Sequence, residues 1–155
     1  NKLAQSNGWS LVLGQGSVPA QLEKGRRQIQ VRRKGFSSVI LGSDLLLCMA
    51  GTAAEQAVGM AKPVLQLPGQ GPQFTAGFAE AQRRLLGPTV FCAAPPCTGA
   101  ELLKATAKLA IELLERSVND PDLRRECREQ AMKRIGPQGG SSKMAGLISG
   151  LLQKS

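Results

Sequence analysis

Between Asp44 and Cys92 short apolar runs alternate with segments of helical composition, and each run is too brief for a helix. Asp44 to Met49, Pro63 to Leu67 and Thr89 to Cys92 are mostly continuous and apolar, as burial on both faces of a parallel sheet requires. The segments between them, Thr52 to Ala61 and Gln73 to Leu86, are rich in Ala, Gln, Glu and Arg and end close to Pro63 and Gly87. This β-α-β-α-β order predicts an α/β fold, a Rossmann-like parallel sheet flanked by helices. Two further runs, Trp9 to Leu13 and Gln28 to Arg33, bring the expected sheet to about five strands. Ile29 and Val31 alternate with polar neighbours, which places that strand near an edge.

After Cys92 the pattern is helical only. Thr98 with Glu101 three residues on forms a capping-box pattern, followed by a stripe of Leu102, Leu103, Leu109, Ala110, Leu113 and Leu114. Asp120 and Pro121 read as an N-cap and a first-turn proline, opening a charged helix expected to run to about Ile135 before Gly136-Pro137 stops it. Gly139 and Gly140 read as a hinge. Ser141 or Ser142 then caps a last amphipathic helix with Met144, Leu147, Ile148, Leu151 and Leu152 on one face.

With 155 residues, 42% of them apolar and 20% charged, the chain is expected to form a single globular domain over 1–155. No apolar run approaches the roughly 18 residues of a spanning helix. The absence of His excludes a serine or cysteine triad and any His-bearing metal site within this sequence, and neither cofactor nor metal is expected. Cys48, Cys92, Cys97 and Cys127 show no CxxC spacing, and reduced thiols in a cytoplasmic setting, in places peripheral to a membrane, are the simplest expectation. The sequence begins at Asn1 without a Met or a signal peptide, from which a fragment of a longer, two-domain protein is expected.

Twenty basic against eleven acidic side chains give a net charge of +9. Up to Ser43, Lys2, Lys24, Arg26, Arg27, Arg32, Arg33 and Lys34 face one acid, Glu23, so six of the nine charges lie there. An anionic partner follows: nucleic acid, a phosphorylated small molecule or an acidic membrane surface. The five aromatics, Trp9, Phe36, Phe74, Phe78 and Phe91, do not interleave with this cluster as stacking platforms for single strands would, and no zinc-finger spacing is present, so nucleic acid is disfavoured. A plain solvated face is the alternative for the Lys24 to Lys34 cluster, and surface pairing for Arg83, Arg84 and the mixed charges from Arg116 to Arg134.

Two strand-to-helix connections carry candidate chemistry. In the first, Ala50-Gly51-Thr52-Ala53 joins a buried strand to a helix whose free N–H groups would face the strand's carboxyl end, where an open α/β sheet places a phosphate. The alternative is an ordinary turn with Thr52 as N-cap. In the second, Leu67-Pro68-Gly69-Gln70-Gly71-Pro72-Gln73-Phe74 follows the next strand, its glycines permitting close approach and its Gln70 and Gln73 amides suited to sugar hydroxyls. A rigid connection is the competing reading.

Asp44 to Pro68, with its core Ala50-Gly51-Thr52-Ala53-Ala54, resembles the carboxyl-terminal domain of lipid-A-disaccharide synthases. More distantly it is similar to the N-acetylglucosaminyltransferase that completes the peptidoglycan lipid precursor. The likeness runs through Gln73, Gly87 and the trailing helices, roughly Gly35 to Leu152, and is nearest to the lipid-A-disaccharide synthase-like proteins of cyanobacteria and plants. It implies a GT-B glycosyltransferase whose carboxyl-terminal Rossmann-like domain holds a UDP-sugar, with a lipid or lipid-linked acceptor reached through an amino-terminal domain absent from this sequence. By position, Gly51 and Thr52 would meet the diphosphate, Lys34, Gly35 and Phe36 would border the uracil, and Gln73 would reach the sugar, with Ala53 and Gln70 as further candidates for binding the nucleotide-sugar. Where the family places a ribose-binding glutamate, five positions after the glycine, this sequence has Gln56, with Glu55 one place earlier; Pro72 is a second departure. The resemblance also implies a general base in the absent domain, no catalytic residue here, an inactive fragment, and a last helix crossing to the other domain. The competing reading is a non-catalytic basic Rossmann-like module for nucleic acid or anionic lipid, which Gln56 favours. A doubly wound domain similar to glycosyltransferases in fold alone is a third.

Overall fold

A computed structural model describes residues 2–16, 19–49, 51–67, 69, 71, 75–93 and 99–153. The chain divides into two compact units, residues 1–39 and 40–155, where the sequence reading expects one domain.

The first unit holds a short helix α1 (Lys2–Ser6) and an antiparallel meander of β1 (Ser10–Val12), β2 (Ala20–Lys24) and β3 (Arg27–Val31). Leu11 pairs with Leu22 and Leu22 with Ile29, so one apolar row crosses all three strands. This corrects the expectation of five parallel strands. Lys24 and Arg27 pair across Gly25 and Arg26, and a two-residue connection can only join antiparallel neighbours, since a parallel crossover needs a dozen residues or more. Strand β2, written in Gln, Glu and Lys, is absent from the sequence reading, and every residue of β1 and β3 is exposed. Helix α2 (Phe36–Leu41) follows and carries the fully buried Ile40.

The second unit is the α/β part, with a three-stranded parallel sheet in the order β4 (Leu46–Cys48), β5 (Val64–Gln66), β6 (Val90–Phe91). These are the central portions of the three runs expected between Asp44 and Cys92. Helix α3 (Thr52–Gly59) joins β4 to β5, and α4 (Ala76–Leu86) joins β5 to β6. Ala54, Ala57 and Val58 of α3, spaced i, i+3, i+4, pack with Ile40, Val64, Leu86 and Val90 into the core, with Leu46, Cys48 and Met60 partly buried against them. Each buried Ile, Leu or Val contributes roughly 1.5–3 kcal/mol relative to exposure.

Local chemistry sets the helix ends. Thr75 caps α4, its hydroxyl accepting from the Phe78 N–H at 3.1 Å, so the helix starts at Ala76 rather than Gln73. Gly87 closes it at φ 100°, where an added Cβ would run into the Gln130 side chain. Helix α3 ends in a Schellman turn: the Lys62 N–H donates to the Ala57 carbonyl and the Ala61 N–H to the Val58 carbonyl, both at 2.9 Å. The left-handed position of that turn is filled by Ala61, at φ 56°.

Helix α5 (Gly99–Asn119) buries Thr106, Leu113 and Ser117. Leu103 and Leu114, expected in its core stripe, are exposed together with Ile111 and Val118. Thr98 lies outside the described residues. As expected, Asp120 caps α6 (Pro121–Gln130), accepting from the Asp122 N–H at 2.9 Å and the Leu123 N–H at 3.2 Å. These N–H donors, the Leu123 one foremost, hold its carboxyl below the usual range. The helix continues as a π-helical turn, Ala131–Ile135, closed by the Gly136 N–H on the Ala131 carbonyl at 3.0 Å. The last helix, α7 (Gly140–Leu152), is capped by Gly139 rather than by Ser141 or Ser142, and none of its residues is buried.

Candidate nucleotide-binding turn

The connection from β4 to α3 is built by Gly51. Its φ of 80° and ψ of −152° fall in a region essentially restricted to glycine, and a Cβ there would meet nothing within 4 Å. Backbone conformation rather than crowding therefore selects the residue. Gly51 is the N-cap, which corrects the assignment of that role to Thr52: its carbonyl accepts from the Ala54 N–H at 2.9 Å and the Glu55 N–H at 3.3 Å. The N–H groups of Thr52 and Ala53 precede these bonds and have no acceptor among the described residues. They lie at the positive end of the α3 dipole, beyond the carboxyl end of β4, and can receive an anion.

Thr52 and Gln56, one turn apart, are both exposed, on the side of α3 away from the buried Ala54, Ala57 and Val58. Glu55 is half-buried in the first turn. The structure thus brings together Gly51, Thr52, Ala53, Glu55 and Gln56. Gly69 and Gly71 of the second loop are exposed, and that loop leaves β5 beside β4, where the Leu67 N–H donates to the Cys48 carbonyl at 2.9 Å. Gln70 and Gln73, with Pro68, Pro72 and Phe74, lie outside the described residues. Lys34, Gly35 and Phe36 belong to the first unit and are exposed.

Sequence reasoning missed a buried amide pair at the same strand end. Gln66, the last residue of β5 and the register partner of Cys48, donates from Nε2 to Gln82 Oε1 of α4 at 2.6 Å. Both residues are buried, and Gln66 Oε1 has no partner among the described residues. An orphaned buried acceptor costs about 1–3 kcal/mol. The only sequence signal was a Gln closing an apolar run.

A cavity of about 260 Å³ lies at the opposite, amino-terminal ends of β4 and β5, between Met60, Ala61, Pro63, Leu123 and Cys127, with Lys62, Arg124 and Arg128 among the residues around it. It is remote from Gly51 and takes no part in the turn. Burial raises the thiols of Cys48 and Cys92, and lifts that of Cys127 to about 11. None has the depressed pKa of a nucleophilic cysteine. Among the described residues no group of three or more His, Cys, Asp or Glu could hold a metal ion, and no helix is long and apolar enough to cross a membrane. No family model, curated protein or solved structure matches this chain.

Proposed function

We propose that the α/β unit binds the diphosphate of a nucleoside-diphosphate sugar, a UDP-sugar in the reading from the sequence, at the turn opened by Gly51. The unit then acts as the donor half of a glycosyltransferase for a lipid or lipid-linked acceptor. The observation that carries this reading is the glycine-only backbone of Gly51, which leaves the Thr52 and Ala53 N–H groups open at the carboxyl edge of a parallel sheet. Ligands of open α/β sheets bind at that edge. Two features add support: the resemblance of Asp44 to Pro68, and the exposed Thr52 and Gln56 on one side of α3.

In this role the helix dipole and backbone N–H groups stabilise negative charge on the departing diphosphate more than on the bound donor, which is how fixed dipoles lower a barrier. Gln56 and Glu55 supply hydrogen bonds to the ribose, and the general base belongs to the acceptor half. The test is an amide chemical-shift titration with UDP, with AMP and a short DNA duplex as controls, at two salt concentrations. The expected result is displacement of Gly51 to Gln56 and of Gly69 and Gly71 by UDP and not by AMP. If UDP moves none of them while DNA moves Lys24 to Lys34 in a salt-sensitive manner, the reading fails and a basic binding module replaces it.

A further inference from the structure

We infer that α7 is a docking helix for an anionic lipid bilayer surface, an inference independent of the donor site. Met144, Leu147, Ile148 and Leu151 are 62, 69, 53 and 70% exposed and project within one arc of the helix. Ser142, Gly146, Ser149 and Gly150 fill the other side. The helix spans thirteen residues and none is buried. Such a helix, with Gly146 and Gly150 inside it, is marginal in water by itself, so a covering surface is needed to hold it.

Charge identifies that surface. From Gln130 to Ser155 the sequence carries Lys133, Arg134, Lys143 and Lys154 and no acid. Lys143 stands beside the apolar arc, where its stem can lie along hydrocarbon while its ammonium reaches phosphate. A second copy of the chain seated on this face would bring Lys143 up against the same cation of its partner. The exposed apolar positions of α5, Leu103, Ile111, Leu114 and Val118, provide the contrast: that helix carries Glu101, Glu112 and Glu115 as well as Lys104, Lys108 and Arg116, so its charges balance and give an acidic surface no net attraction. A bulky apolar arc opposite a Ser- and Gly-rich side, with cations only, is the composition of a helix that lies in the headgroup plane.

The test is flotation of the full chain with small vesicles of phosphatidylcholine and phosphatidylserine. The chain is expected to float. The double substitution Leu147→Asp/Leu151→Asp is expected to lower binding about tenfold or more, because two charges enter the face that meets the acyl chains. Lys143→Gln is expected to lower it about fivefold on these vesicles and to change nothing on phosphatidylcholine alone. Because α7 buries no side chain, the variants are expected to keep the parent's thermal unfolding midpoint, which a melting curve verifies. The inference is overturned if the chain does not float. It is equally overturned if the Asp double variant floats as well as the parent, which would assign binding to the Lys24 to Lys34 cluster. Loss of a self-associated state in that variant, without flotation of the parent, would make α7 an interface between copies and would also overturn it.

Discussion

Replacing Ala61 by glycine is expected to stabilise the α/β unit, which is unusual for a substitution that removes a side-chain carbon. Ala61 occupies the left-handed position of the Schellman turn after α3, at φ 56°, the place most helices give to glycine. An L-residue there holds its Cβ against the following carbonyl, at a cost of roughly 1–2 kcal/mol. Glycine removes that strain but gives the unfolded chain more freedom, offsetting about 0.4–1 kcal/mol. Ala61 is only partly buried, so the lost methyl contributes a fraction of the roughly 0.8 kcal/mol of a fully buried carbon. The net expectation is a gain of about 0.5 kcal/mol, or roughly 2 °C in midpoint for a unit of this size. Urea unfolding followed by circular dichroism measures it, with an unchanged m-value showing that the effect is on stability alone. Ala61→Val, with a branched side chain at the same φ, is expected to lose about 1 kcal/mol or more. A glycine variant less stable than the parent by 0.5 kcal/mol or more, on the order of the predicted gain, would refute the strain argument.

The buried amide pair gives a second expectation. Gln82→Leu alone leaves both Gln66 polar atoms unmatched and is expected to cost about 1–3 kcal/mol, whereas Gln66→Leu/Gln82→Leu is expected to recover most of that loss. Denaturant unfolding of the double-mutant cycle measures the coupling. Glu80 accepts from Arg83 at 2.8 Å and from Arg84 at 3.0 Å, and these bonds, Arg83 first, hold its carboxyl at about 2. Because the folded value is depressed, its contribution is present above the ordinary carboxylate range and lost as pH falls through about 2; carboxyl NMR titration should find Glu80 ionised at pH 3, and Arg83→Gln should raise its midpoint. Cys127, buried and lifted to about 11, should resist a thiol reagent at pH 8 in the folded protein and react on unfolding. Stability linked to this thiol is full below its ordinary value near 9 and falls as pH rises from there towards about 11, since the folded state keeps the proton longer.

What the residues disclosed depended on how many sides of each element are buried. Strands β4, β5 and β6, with α3 and α4 between them, were legible because their runs are continuous and apolar and are bounded by Gly and Pro, although only β5 is buried throughout and Leu47 of β4 is exposed. The meander was not: β1 and β3 are exposed throughout, and β2 spells Gln, Leu, Glu and Lys, so its pairing is dictated by the two-residue turn at Gly25-Arg26 rather than by composition. Helix α5 misled through the opposite excess, since Leu on two sides allowed Leu103 and Leu114 to be placed in a core that Leu113 enters and they do not. At the candidate site, Gly51-Thr52 marked the turn, but the residue type did not disclose the cap. A φ of 80° makes Gly51 the cap and turns Thr52 into the first helical residue, which frees the hydroxyl that the alternative reading had used. Gln66 and Gln82 are separated by sixteen positions, and only the packing of α4 on β5 brings their amides together.

The π-helical turn at Ala131–Ile135 sets the phase of the last residues of the α6 helix. A π turn holds one residue more than an α turn, so later side chains are rotated by roughly 100° from where an uninterrupted α6 would carry them. With that offset Ile135 lies over Gly59, where an added Cβ would be 3.2 Å from its Cγ2, and Arg134 reaches the Arg84 carbonyl at 3.2 Å. Deleting a single residue from this turn would leave the composition almost untouched yet swing both anchors off α3 and α4. The turn therefore acts as a one-residue gear: the register in which this end of α6 grips α3 and α4 is held in the wider backbone ring that the Gly136 N–H closes on the Ala131 carbonyl, rather than in any one side chain.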